Sequence, residues 1–109
     1  MSDAGSLDKV EQLIPLAERA GMKLMHMALA FVVAHPAITS AIIGPRTMDQ
    51  LDDLLAGAEV VLDDELLDRI DEIVPPGVDV APLEGSAYTP PSIAQASSRR
   101  RAVAERAAA

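Results

Sequence analysis

The stretch Thr39-Ser-Ala-Ile-Ile-Gly-Pro-Arg-Thr-Met-Asp-Gln-Leu-Asp-Asp53 decides the fold, because its hydrophobic pattern changes period halfway along. The apolar run from Ile38 to Ile43 is bounded by Pro36 before it and by Gly44-Pro45 after it. β-Branched residues pack well on a pleat and a Gly-Pro pair stops one, so the run reads as a short buried strand. From Thr47 the spacing turns helical, with Met48, Leu51, Leu54, Leu55 and Ala58 on one face. Thr47 and Gln50 have the spacing of a capping box, in which the hydroxyl takes the amide three residues on and the glutamine reaches back. Arg46 stands beside the exposed amides of that helix start. Unpaired N–H groups, the positive end of the helix dipole and a guanidinium together make an anion site.

Upstream, Ser6 reads as the cap of a helix running to about Ala20, with Leu7, Val10, Leu13, Ile14 and Ala17 as its stripe and Gly21 as its stop. Pro15 has no donor and crowds the preceding turn, so it is expected to kink this helix or to start a second one. The next helix, Leu24 to Ala34, is apolar almost all round and expects burial on most sides. Downstream, Gly57 offers the Thr47 helix a C-cap. Asp63 then caps a further helix, with Leu62 and Leu67 as a hydrophobic staple and Leu66, Leu67, Ile70, Ile73 and Val74 facing inward. Asp63, Asp64 and Glu65 complement the dipole of its first turn, which accounts for them without a metal.

Pro75-Pro-Gly77 ends that helix, and from Val78 to Ser98 no helical or alternating period remains. Two regions follow: residues 1–74, which hold the helices and the strand, and residues 75–109, a Pro-, Ala-, Ser- and Arg-rich tail expected to be disordered. Tyr88, beside Pro90-Pro91, reads as linker.

The formal charge of −8 opposes general affinity for nucleic acid or an anionic membrane. The charge is uneven: Arg99, Arg100, Arg101 and Arg106 against Glu105 give the last residues a balance of +3 and leave −11 for residues 1–98. On composition this basic cluster is a solvated end. The absence of cysteine rules out a disulfide framework and a thiol nucleophile. His26 and His35 are nine residues apart, which does not suit a chelate on one helix face. A DNA-reading role for the Thr47 helix is opposed by Asp49, Asp52 and Asp53, which would repel phosphates. No apolar run is long enough to span a bilayer, and Met1-Ser-Asp-Ala-Gly lacks the basic start and apolar run of a secretion signal. The expected location is cytoplasmic.

Residues 28–51, Ala-Leu-Ala-Phe-Val-Val-Ala-His-Pro-Ala-Ile-Thr-Ser-Ala-Ile-Ile-Gly-Pro-Arg-Thr-Met-Asp-Gln-Leu, resemble the C-terminal part of the aldo-keto reductases, and a looser likeness runs from about Leu7 to about Tyr88. The Ser-Ala-Ile-Ile-Gly-Pro-Arg-Thr core with Gln50-Leu51 is its specific part. The resemblance implies an α/β fold, the C-terminal part of a (β/α)8 TIM barrel, and NADPH-dependent reduction of a carbonyl by hydride transfer. It places NADP(H) on this segment: Ile43, Gly44, Pro45, Arg46 and Thr47 match the turn that holds the 2′-phosphate, and Gln50 and Asp53 match the adenosine-facing side of the helix. Two positions depart from the family pattern. Lys23 stands where a Thr or Ser often caps the second helix, and Leu54 stands where an Asn often meets the adenine.

The catalytic Asp, Tyr, Lys and His implied by the resemblance belong to earlier strands, and Tyr88, Lys9 and Lys23 match none of them. A closed barrel needs about 250 residues, so a 109-residue chain is expected to be a mostly helical fragment with at most one short strand. On this reading it is the cofactor-binding part of a reductase, inactive alone, and it meets a small-molecule carbonyl substrate only in a complete barrel. The alternative is a small helical interaction module without catalysis. Helices built to lie on a sheet would leave apolar patches exposed, from which self-association follows.

Overall fold

The computed structural model describes residues 4–76 and 90–106. Its first helix, α1 (Ala4–Arg19), begins two residues before the expected Ser6 cap and runs unbroken through Pro15. The two residues that follow the proline, Leu16 and Ala17, are both buried in the core. Tertiary packing holds the turn that the missing proline donor weakens. Gly21 ends α1 as the sequence implied, with φ at +75°, a backbone state that glycine adopts without a Cβ clash. Around it the Gly21 amide meets the Glu18 carbonyl and the Met22 amide reaches back to Ala17, which together close the helix in a Schellman turn.

The chain then reverses into α2 (Leu24–Val33), packed against α1 through Met27 and Ala30. Lys23 occupies the N-cap with extended backbone and gives no side-chain cap. At the other end His35 shapes the exit. Its Nδ1 accepts the Ala37 amide at 3.0 Å, and its Nε2 lies 2.8 Å from the Ser92 carbonyl, which only accepts, so Nε2 carries the proton.

The run Ile38–Ile43 does not form a strand, which corrects the first expectation. A strand needs a neighbour to take its backbone groups, and the described residues contain no strand at all. Ile42 is fully exposed, while Ile38, Ala41 and Ile43 are half-buried.

α3 (Met48–Ala56) follows, and a 3₁₀ turn (Gly57–Glu59) links it towards α4 (Asp64–Ile73). Asp63 caps α4 by accepting the Leu66 amide at 2.8 Å. Leu62 and Leu67, the expected staple pair, are the largest fully buried side chains. With Leu16, Ala17, Met27, Ala30 and Ile70 they make the core, in which α1, α2 and α4 meet. No residue of α3 is buried.

Residues 90–106 differ from the solvated tail that composition suggested. Single helical turns α5 (Pro91–Ala94) and α6 (Ala96–Arg99) lead to a segment laid across α2 and α4. The Arg101 amide and guanidinium donate to the carbonyls of Val33, Ala34, Pro36 and Ile38, finishing the C-terminal end of α2. Arg99, Arg100 and Arg106 meet Asp64, Asp68 and Asp71 of α4. The acidic partners lie far off in sequence, so composition counted the arginines and not their mates. Gly77 and Tyr88 lie outside the described residues.

Candidate functional site

Thr47 is the N-cap of α3, and its hydroxyl accepts the Gln50 amide at 3.1 Å. Gln50 Oε1 reaches back one residue further than a simple capping box, to the Arg46 amide at 2.7 Å. The pair of bonds fixes the turn on both sides of the helix start. It leaves the amides of Met48 and Asp49 with no carbonyl a turn earlier to meet. Arg46 is exposed and forms no ion pair among the described residues. No atom lies within 4 Å of where a Cβ would stand on Gly44, so a ligand could approach that backbone closely.

The other positions named from sequence sort into two groups. Arg46, Thr47 and Gln50 are brought together at the helix start. Ile43 and half-buried Pro45 flank them, with Ile43 facing an open groove of about 490 Å³ between α2 and α3. That groove is lined by Leu29, Val33, Leu54 and Leu55 and includes none of Arg46, Thr47, Gln50 or Asp53, so the groove and the capped turn at Arg46 are different places. Leu54, standing where an asparagine was expected, is spent on the groove wall.

Asp53 sits one turn along α3 from Gln50 and is already engaged. Lys23 Nζ lies 2.9 Å from its Oδ1, and His26 Nε2 is 3.4 Å from the same oxygen. The hydrogen bond from Lys23, reinforced by the charges of Lys23 and His26, holds the Asp53 carboxyl below the usual carboxylate range against partial desolvation. His26 also donates from Nε2 to the Asp53 carbonyl at 2.7 Å. Lys23 and His26 escaped the sequence reading as parts of this site. One signal was available: a lysine at a helix N-cap is on the wrong side of the dipole and implies a carboxylate partner.

The donors present, a guanidinium with no ion pair among the described residues and first-turn amides with the remaining NH₂ of Gln50, suit a phosphate dianion rather than a neutral group. Asp53, an acceptor, suits a hydroxyl and would repel the phosphate itself. These groups could hold a phosphate, with Arg46 as its cation.

Residues 4–75, well over half of the chain, match the aldo/keto reductase family model. The chain belongs to the aldo/keto reductase family. Over 67 residues it is 41% identical to YrpG, an uncharacterized oxidoreductase of Bacillus subtilis (strain 168). That likeness covers 62% of this chain and 21% of the relative, so the chain spans about a fifth of the relative's length. Among the described residues no helix is long and apolar enough to cross a membrane.

Proposed function

We propose that this chain supplies the phosphate-binding end of the NADP(H) site in an aldo/keto reductase, an oxidoreductase that reduces carbonyls by hydride transfer from the nicotinamide. The observation that carries the reading is Arg46, paired with no carboxylate among the described residues, beside the Thr47-capped start of α3. In this role Arg46 pairs with the 2′-phosphate, the Met48 and Asp49 amides add donors, and Asp53 faces the adenosine ribose. The family membership and the likeness to an oxidoreductase support the class of reaction. The run Ile38–Ile43 and α3 then belong to the last βα unit of the family's barrel, in which the run gains the strand neighbours that its backbone requires. The catalytic acid of the family belongs to earlier strands, so the chain by itself is expected not to turn over NADPH.

Nuclear magnetic resonance titration of the chain with 2′,5′-ADP tests the site. The amide signals of Arg46 to Gln50 are expected to move with 2′,5′-ADP and NADPH but not with NADH, at roughly millimolar affinity because the turn must also be ordered. Arg46→Ala removes the response, and Thr47→Ala weakens it while costing about 1 kcal/mol as the cap is lost. Equal shifts with NADH would show that the 2′-phosphate is not being read. A second reading, a helical interaction module, draws on the full exposure of Ile42. It requires concentration-dependent association in sedimentation and no preference for the 2′-phosphate.

A further inference from the structure

α3 carries the candidate site at its N-terminus yet buries none of its own residues. Its apolar side chains Leu51 and Leu54 are only half-buried, so polar contacts share in setting its direction. Four side-chain positions on two helix faces provide this. Lys23 and His26, three apart, face α3 from the start of α2. Asp53 and Gly57, four apart, face back from the end of α3.

Each member has lost something local to make the contact. Lys23 takes the N-cap of α2 without capping it, and places a cation at the positive end of a helix, where it is disfavoured. Its Nζ instead meets Asp53 Oδ1 at 2.9 Å. The Asp53 carbonyl belongs to the last turn of α3, and the Gly57 amide that would ordinarily reach it bonds to Leu54 and Leu55. His26 Nε2–H fills that vacancy at 2.7 Å. Gly57 is buried, and a Cβ there would come within 2.7 Å of the His26 ring, so only glycine lets the imidazole in.

We propose that Lys23 and His26 are positioning residues for the phosphate turn, which tie the C-terminal half of α3 to α2 and thereby fix where Arg46 and Thr47 point. The assignment rests on the reading of that turn as a 2′-phosphate site. Lys23 holds the carboxylate of Asp53 and His26 holds its backbone, so the helix is clamped at one residue by two different groups. The clamp also orients Asp53 for a ribose hydroxyl, since Lys23 occupies Oδ1 and no hydrogen bond among the described residues uses Oδ2.

The test uses the whole chain, with 2′,5′-ADP as the probe and amide hydrogen exchange as a readout independent of binding. His26→Leu removes the donor to the helix end and is expected to speed exchange across Leu51–Leu55 and to weaken 2′,5′-ADP by about tenfold, the scale of one lost hydrogen bond. Lys23→Met removes an exposed ion pair and is expected to weaken the probe by about two- to fivefold. His26→Gln and Lys23→Arg keep a donor and a cation and restore both readouts, which a general packing defect would not allow. Unchanged exchange and affinity in His26→Leu and Lys23→Met would overturn the proposal, as would failure of the conservative variants to rescue. If the unaltered chain does not respond to 2′,5′-ADP, the reading of the turn fails. The exchange of Leu51–Leu55 in the same variants then decides the clamp by itself.

Discussion

α3 and α4 begin alike and end up in opposite circumstances. Each has a side-chain cap, Thr47 in one and Asp63 in the other, and each has an acid in its first turn and arginine close by. At α4 the residue before the cap is Leu62, fully buried against the core with Leu67. At α3 the residue before the cap is Arg46, which is exposed and paired with no carboxylate among the described residues. The arginines that the C-terminal segment brings to α4 are spent: Arg106 bonds the Leu62 carbonyl and Asp64, while Arg100 reaches Asp68 and Asp71. A capped helix start near arginine is therefore not by itself an anion site. On the function proposed above, the start of α3 differs in having no buried residue before its cap and no carboxylate paired with Arg46 among the described residues.

The largest expected difference between the two ends follows from burial. Leu62→Ala removes a side chain with no exposed surface and should lower stability by about 2–5 kcal/mol, as large-to-small core changes do. Met48→Ala at the start of α3 trims a side chain that is 69% exposed and should change stability by less than about 0.5 kcal/mol. Urea unfolding of the two variants measures the contrast. Equal losses would mean that α3 is anchored by its own apolar face after all.

A smaller effect is expected for the segment that crosses α4. Arg106 is 4% exposed and donates at 2.8–2.9 Å to Arg101 and Leu62 carbonyls and to Asp64. Arg106→Ala should cost about 1.5–3 kcal/mol, the range for a hydrogen bond to a charged group whose carbonyl partner is left buried. The net value is held down elsewhere in the cluster, where Arg99 Nε and Arg100 Nε are buried with no acceptor. Denaturant midpoints, with proteolysis of residues 90–106 followed in parallel, check whether the segment detaches. Arg46→Ala under the same conditions should leave the midpoint unmoved.

These contrasts also mark what could be read from the residues alone. Local signals were legible: the Gly21 stop, the Thr47 and Asp63 caps, the Leu62–Leu67 staple and the absent cap at Lys23 all depend on neighbours within a few positions. The capped turn that brings Arg46, Thr47 and Gln50 together was legible for the same reason, since the three lie within one turn. The Ile38–Ile43 run failed because a strand is a property of two segments, and pattern speaks for only one of them. Lys23 with Asp53 and Arg100 with Asp68 were missed because their partners lie 30 and 32 residues away. Charge counts record such groups as a balance and not as pairs. Pro15 does not start a second helix, because the core contacts of Leu16 and Ala17 carry α1 past a residue that disfavours it.

The smallest expected effect appears only in acid. Asp64 accepts a hydrogen bond from Arg106 at 2.8 Å, with Arg100 adding its charge, and these outweigh desolvation to hold the carboxyl below its ordinary value of 3.8. Lys23 does the same for Asp53. A depressed carboxyl binds its proton less tightly in the folded chain than in the unfolded one. Its contribution is therefore complete above the ordinary value and is lost as pH falls through the lower, folded one. Stability should be level from neutral pH down to about 4 as far as these two groups decide it, then decline. Asp64 is shared by two arginines and Asp53 is held chiefly by one lysine, so Asp64→Asn should flatten the acid decline more than Asp53→Asn. Both carboxylates face solvent in part, so the difference should shrink in high salt. Thermal midpoints followed into the acid range at low and high salt measure it. An acid decline that Asp64→Asn leaves untouched would mean that the α4 cluster is held by the buried Leu62 carbonyl and not by charge.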